Sequence, residues 1–384
     1  MTGDAGTLAR HDLRHPDGRD FHVYGTRSGD LGSQPPALDI GDIHVRHDAL
    51  TDTWVVVSPS RNTRPGGEVT TRRDDTGCPL CPGGAELPFE YEAAVFDNRF
   101  PALSPLAPPA HQPGAARALG RCQVVVYTSE HAGSLATLAP GRIATVVALW
   151  RDQCAARWAD GYGYVMAFEN HGAEVGATLA HPHGQLYALS FVPPVIVAKV
   201  AAHVTHRRQV GRCLGCDLAD GHDGAGGADA RTIVANESFA VEVPFAARWP
   251  FEVHVRARRH GCRRLADLTD GEALDLARAV RDVTARYDGV FGRDLPYLPC
   301  VQEAPEGAAD WHLHVELLPP HRDADRLKVR ASVETALGVF LNDSRPEESA
   351  ARLRAVAVPP VSWDGVTIPD VIPDGRRARR RDER

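Results

Sequence analysis

The sequence has no apolar run long enough to cross a bilayer. Its longest, such as Val146-Val147-Ala148-Leu149-Trp150, fall far short of the ~18–20 residues a spanning helix needs, so no membrane partner is expected. It also lacks a basic excess. With 43 Lys and Arg against 50 Asp and Glu the net charge is −7, and nothing in that balance suits a duplex nucleic acid. Residues 1–14 are polar and carry no apolar core of a secretory signal, so a cytoplasmic location is expected. For the same reason the eight cysteines are not expected to form a disulfide framework. What remains is a chain of 384 residues, 43% hydrophobic and 24% charged. That composition excludes collagen, coiled coil and wholesale disorder, and the length suggests two domains.

Four cysteines form two Cys-x-x-Cys pairs, Cys78-Pro79-Leu80-Cys81 and Cys213-Leu214-Gly215-Cys216. Such a pair sets two thiolates on one tight turn, half of a tetrahedral zinc site; a redox pair is the alternative. Cys122 falls in the apolar strand Cys122-Gln123-Val124-Val125-Val126-Tyr127 and reads as core. Trp54, in the strand Trp54-Val55-Val56-Val57, is read as core too.

The chain repeats itself. An alternating strand, a histidine and a Leu-x-x-Leu occur at Val124 to His131 and again at Val253 to His260. A long amphipathic helix follows each, about Pro140 to Trp158 and Thr269 to Phe291. Next come a strand (Tyr164 to Glu169; Tyr297 to Gln302) and a His-x-His (His181-Pro182-His183; His312-Leu313-His314), and both units end in Pro-Pro. The order implies a duplicated α+β unit with antiparallel sheets and packed helices. It also completes two candidate tetrahedra, Cys78/Cys81/His131/His181 and Cys213/Cys216/His260/His312. Four protein ligands leave no open position, as in a structural zinc site. In the second set His314 or His254 could replace a ligand.

The densest chemistry runs from Phe168-Glu169-Asn170-His171-Gly172 through Thr178 to His181-Pro182-His183-Gly184-Gln185. A glycine-rich loop lets backbone amides approach an anion. His181 and His183 would share one face of a regular strand, but Pro182 has no N–H and a fixed φ. Pinning His181 to zinc would aim His183 at a pocket. A neutral imidazole nitrogen is a competent nucleophile toward phosphorus if the other nitrogen keeps its proton. Gln185 should point to the same side and donate to a phosphoryl oxygen.

With Ser58-Pro59-Ser60-Arg61-Asn62-Thr63-Arg64-Pro65, Phe96-Asp97-Asn98-Arg99-Phe100-Pro101, Ser129-Glu130-His131 and Trp249-Pro250-Phe251-Glu252, this loop resembles that of the galactose-1-phosphate uridylyltransferase family, within the histidine-triad superfamily. The resemblance implies two tandem histidine-triad-like units and a ping-pong transfer of UMP. In it His183 attacks the α-phosphorus of UDP-glucose, glucose-1-phosphate leaves, and the uridylylated histidine is discharged to galactose-1-phosphate, giving UDP-galactose. By matched position Arg61 and Arg64 would contact phosphates; Leu80, Phe96, Asn98 and Val124 would form the uridine pocket; Asn170, Thr178 and Gln185 would hold the α-phosphate; and Lys328 and Glu334 would lie near the sugar phosphate. The resemblance further implies a homodimer. Relatives with an iron site match here at Lys199, Gln302, His314 and Glu316, and a protonated lysine has no lone pair for a metal, so no iron site is expected.

The expected organisation is an N-terminal arm over 1–44, partly disordered or wrapping a partner subunit; a catalytic half over 45–195 with its zinc site; a second half over 196–345; and an extension over 346–384 with a basic tail. The second His-x-His lacks the glycine and glutamine of the first and reads as a degenerate copy. Two other readings stay open: a sugar-nucleotide or dinucleotide phosphorylase that uses phosphate as acceptor, and a non-catalytic, zinc-stabilised nucleotide-binding protein.

Overall fold

The computed structural model describes residues 6–25, 35–63, 77–221 and 228–373. Arg64, most of the glycine-rich stretch around 222–227 and the basic tail lie outside them. The duplication is visible in the elements. Helix Pro140–Ala159 opens with proline in its first turn, and helix Asp270–Phe291 is capped by Thr269 in a reciprocal box with Glu272. Both lie against one sheet and touch each other. The core beneath them is continuous: Trp150, Leu149, Leu186 and Val125 of the first half join Leu276, Val280, Val255 and Val315 of the second.

That sheet is the feature the sequence does not announce. The two halves do not build separate main sheets; twelve of the described strands form a single one across both. Strand Tyr164–Phe168 of the first half meets Pro299–Gln302 of the second at Phe168 and Cys300, antiparallel, and so joins them. The outermost strands depart from expectation as well. Within the segment read as an arm, Thr7–Arg14 and Asp20–Tyr24 pair with each other, and the latter pairs with Ala93–Asp97. The reason is local: Phe21 and Val23 alternate with polar residues and bury their side chains. Tyr24 is fully buried and donates to Asp152 of the helix at 2.6 Å. The C-terminal strand Asp370–Pro373 runs parallel to Thr7–Arg14 at the same edge.

A small sheet of His44–Asp48, Thr53–Val57 and Ala115–Arg117 flanks the first half. Trp54 lies on it 41% exposed, tilted against His47, rather than in the core.

Candidate active site and metal centres

Strand His183–Leu189 lies between Gly120–Val126 and Tyr164–Phe168, antiparallel to both, with His183 opposite Val126 and Gln185 opposite Val124 and Phe168. Period-two alternation divides its side chains. Gly184, Leu186 and Ala188 are buried, while His183, Gln185 and Tyr187 are half-buried on the other face. Gly184 has no room for a side chain: a Cβ there would lie 2.7 Å from the Phe168 carbonyl and against the Tyr127 hydroxyl.

His181 precedes the strand and is buried. One of its ring nitrogens, Nε2, stands 2.8 Å from the Thr128 carbonyl and therefore carries the proton. The lone pair of Nδ1 faces Cys78 Sγ at 3.8 Å and Cys81 Sγ at 3.6 Å, and His131 Nδ1 is 3.4 Å from Cys81 Sγ. All four donor atoms lie within 4.8 Å of one another. Ordinary zinc bond lengths in a tetrahedron put nitrogen and sulfur ligands about 3.6 Å apart, so this donor set fits zinc in both chemistry and spacing.

His183 turns the opposite way. Its Nδ1 is 2.7 Å from the carbonyl of His181, so Nδ1 donates and Nε2 keeps its lone pair. His183 lines a cavity of about 460 Å³ with Asn170 and Thr178. The Asn170 side-chain amide donates to the Val175 carbonyl at 2.9 Å, which closes the glycine loop on itself; Gly172 and Gly176 take positive φ at its two ends. Arg61 reaches Tyr187, two residues beyond Gln185 on the same strand face, with its guanidinium 3.3 Å from the hydroxyl.

Other sequence-nominated residues lie elsewhere. Leu80 and Phe96 are buried in one apolar cluster, with Val124 and Leu179 packed against it. The Asn98 side chain accepts from the Phe100 amide at 2.9 Å. Lys328 and Glu334 pair with each other at 2.8 Å, and neither lines the cavity that holds His183.

The cavity has residues that sequence reading missed. Its far wall comes from the second half and includes Asp288, Arg293 and Asp294. Facing them, His171 has Nε2 2.6 Å from Asp294 Oδ1 and Nδ1 3.4 Å from Glu169 Oε1. Burial alone would lower its pKa; the two carboxylates outweigh that and push it up to about 10, so the ring is a cation at neutral pH. No local signal marks the pairing with Asp294, which lies 123 residues further along the chain.

The second half repeats the geometry with different chemistry. Cys213, Cys216, His260 and His312 converge as the first set does, with His312 Nε2 3.5 Å and 3.4 Å from the two sulfurs and His260 Nδ1 3.5 Å from Cys216. The alternative ligands are engaged elsewhere: His254 meets Glu252 at 2.9 Å, and His314 meets the His312 carbonyl. The positions matched to an iron site do not fit a metal. Lys199 Nζ sits 2.6 Å from Glu316 Oε1 and 3.3 Å from His314 Nε2, an ammonium where donor lone pairs would have to converge. Helix Pro194–Val210, which carries Lys199, is among the described helices, and none of these is long and apolar enough to cross a membrane.

Residues 36–193 match the family described as "Galactose-1-phosphate uridyl transferase, N-terminal domain", and residues 215–363 match its C-terminal domain. The chain is 37% identical to the galactose-1-phosphate uridylyltransferase of Thermotoga maritima over 326 residues, covering 82% of this chain and 99% of the relative. It is 33% identical to that of Rattus norvegicus over 339 residues, covering 82% and 87%. A solved uridylyltransferase structure superposes with a TM-score of 0.71 at 31% identity, covering 81% of this chain and 97% of the other.

Proposed function

The chain belongs to the galactose-1-phosphate uridylyltransferase family, and on that premise we propose that it moves UMP from UDP-glucose to galactose-1-phosphate through His183. The observation that carries this reading is the 2.7 Å contact of His183 Nδ1 with the His181 carbonyl, which leaves Nε2 as a lone pair at the wall of a cavity. In the first step Nε2 bonds to the α-phosphorus, the bond to the bridging oxygen breaks, and glucose-1-phosphate leaves with the electron pair. In the second step a phosphate oxygen of galactose-1-phosphate attacks the same phosphorus and frees the imidazole. No carboxylate base is needed, because the leaving group and the acceptor are both phosphates. Asn170, Thr178 and Gln185 would hold the α-phosphate as its charge redistributes, Arg61 and Arg64 would contact phosphates, and Leu80, Phe96, Asn98 and Val124 would receive uridine.

Zinc on Cys78, Cys81, His131 and His181 would supply rigidity, not chemistry, because its four ligands leave no open position. A second zinc would sit on Cys213, Cys216, His260 and His312. On this reading 45–195 is the catalytic half and 196–345 its degenerate copy. A homodimer suits the surface. Val329, Val333, Leu337, Val339 and Leu341 are exposed along one stretch that also contains Lys328 and Glu334, so a second copy would bring that pair to a neighbouring site. None of the eight cysteines, all among the described residues, is joined in a disulfide, which suits a reducing cytoplasm.

The test is to incubate the protein with UDP-glucose labelled in the α-phosphate. Acid-labile label should appear on His183 and be discharged by galactose-1-phosphate. Discharge by inorganic phosphate alone would make the protein a phosphorylase, and no label at all would leave only a nucleotide-binding protein.

A further inference from the structure

Residues 293–297 of the second half grip the glycine loop of the first. The backbones of His171 and Tyr297 exchange two hydrogen bonds, both 3.0 Å, and their rings stack at 4.6 Å. Gly172, at φ +95°, lies so close to Pro296 that an added Cβ would come within 2.7 Å of it. Two ion pairs flank these contacts. Asp294 meets His171 at 2.6 Å, and Arg293 meets Glu174 at 3.2 Å. Adjacent residues of opposite charge thus face loop residues of opposite charge, an arrangement that accepts only one register. Asn170, which ties the loop shut through Val175, and Thr178 lie within or beside this gripped stretch.

We propose that Arg293 and Asp294 are positioning residues for nucleotidyl transfer, clasping the loop so that Asn170 and Thr178 stand correctly beside His183. The inference rests on the uridylyl-transfer reading above. The clasp acts through loop geometry. Arg293 and Glu174 are 38% and 32% exposed at their side chains, and a pair this exposed contributes little to global stability; Asp294 is 53% exposed but its partner His171 only 15%, so that pair adds to stability as well. A misplacement of about 1 Å at a reacting centre, by contrast, costs on the order of 100-fold in rate.

The experiment follows the rate at which wild-type protein and the variants Arg293→Ala, Asp294→Asn, Arg293→Glu, Glu174→Arg and the double reversal Arg293→Glu/Glu174→Arg take label from UDP-glucose. Amide exchange over 171–178, thermal unfolding and metal content are measured on the same samples. The Ala and Asn variants should lose about 10- to 100-fold in labelling rate, with little change in KM or metal, and Arg293→Ala with little change in melting temperature. The double reversal should recover about tenfold over either single reversal, an outcome that direct contact of Arg293 with substrate would not give. Labelling at the wild-type rate in the Ala and Asn variants, or a double reversal no faster than its singles, overturns the clasp. Unlabelled wild-type protein overturns the uridylyl-transfer reading instead; amide exchange then decides whether the clasp orders the loop, and unchanged exchange sinks it.

Discussion

His183 and His314 make the same contact in the two halves: each turns Nδ1 to the carbonyl of the histidine two residues before it, at 2.7 Å and 2.9 Å. Beyond that contact they diverge. His183 opens onto the cavity, whereas His314 is buried and its Nε2 meets Lys199. The histidine-to-carbonyl contact is duplicated, but it sets a ring at the cavity in the first copy and in the buried core in the second.

Replacing His183 with Gly or Ala should abolish turnover, by on the order of 1000-fold or more, since no other group can carry the covalent intermediate. Metal content and melting temperature should stay at wild-type values, because His183 lies outside both ligand sets. Steady-state kinetics with metal analysis checks this; residual turnover near wild type would refute the assignment.

Cys78→Ser should cost stability more than chemistry. Removing one of four ligands from a partly buried structural site should lower unfolding stability by on the order of 3 kcal/mol and release one equivalent of metal. Cys216→Ser should cost less, because its neighbour His260 is exposed. Chelator titration followed by thermal unfolding should therefore empty the second-half site first.

Gly184→Ala should impair the enzyme without removing a polar group. The added methyl meets the Phe168 carbonyl and the Tyr127 hydroxyl, and forced overpacking of this kind costs about 1–3 kcal/mol. Adding Tyr127→Phe removes the hydroxyl but leaves the ring carbon 3.0 Å away and the Phe168 carbonyl in place, so it should restore only part of the loss, as read from melting temperature and labelling rate together.

Acid stability should depend on Glu252. Burial alone would raise its pKa, but His254 and Arg248 outweigh that and hold it down to about 2. The backbone amides of Arg248 and Trp249 also donate to it, at 2.6 Å and 3.1 Å. A carboxylate depressed in the folded state stabilises fully above its ordinary pKa, and that contribution fades as pH falls from about 4.5 toward 2. The shift corresponds to about 3 kcal/mol. Denaturant unfolding across that window should show a steep acid loss in wild type and a flatter one in Glu252→Gln, with the variant less stable at neutral pH.

Much of this could be read from the chain. The helices Pro140–Ala159 and Asp270–Phe291 follow the apolar period and its flanking caps, signals that act over a few residues. The two Cys/His tetrahedra were legible because a repeated order of ligands is improbable by accident, and both sets converge as that order requires. Trp54 went the other way: an apolar strand pattern suggested core, and the small sheet leaves it exposed.

What the amino-acid order settles by itself is the strand and helix periods, which depend on spacing along one stretch of chain, and the pairing of thiols with imidazoles, in the first set 50 to 103 residues away, which was legible because the order of ligands repeats. Folding alone decides that the halves share one sheet through Phe168 and Cys300, that the first residues close its edge, and that Arg293 and Asp294 reach the glycine loop. The sheet junction and the loop contacts join segments more than a hundred residues apart, and their energy depends on which surfaces the packed helices leave to meet.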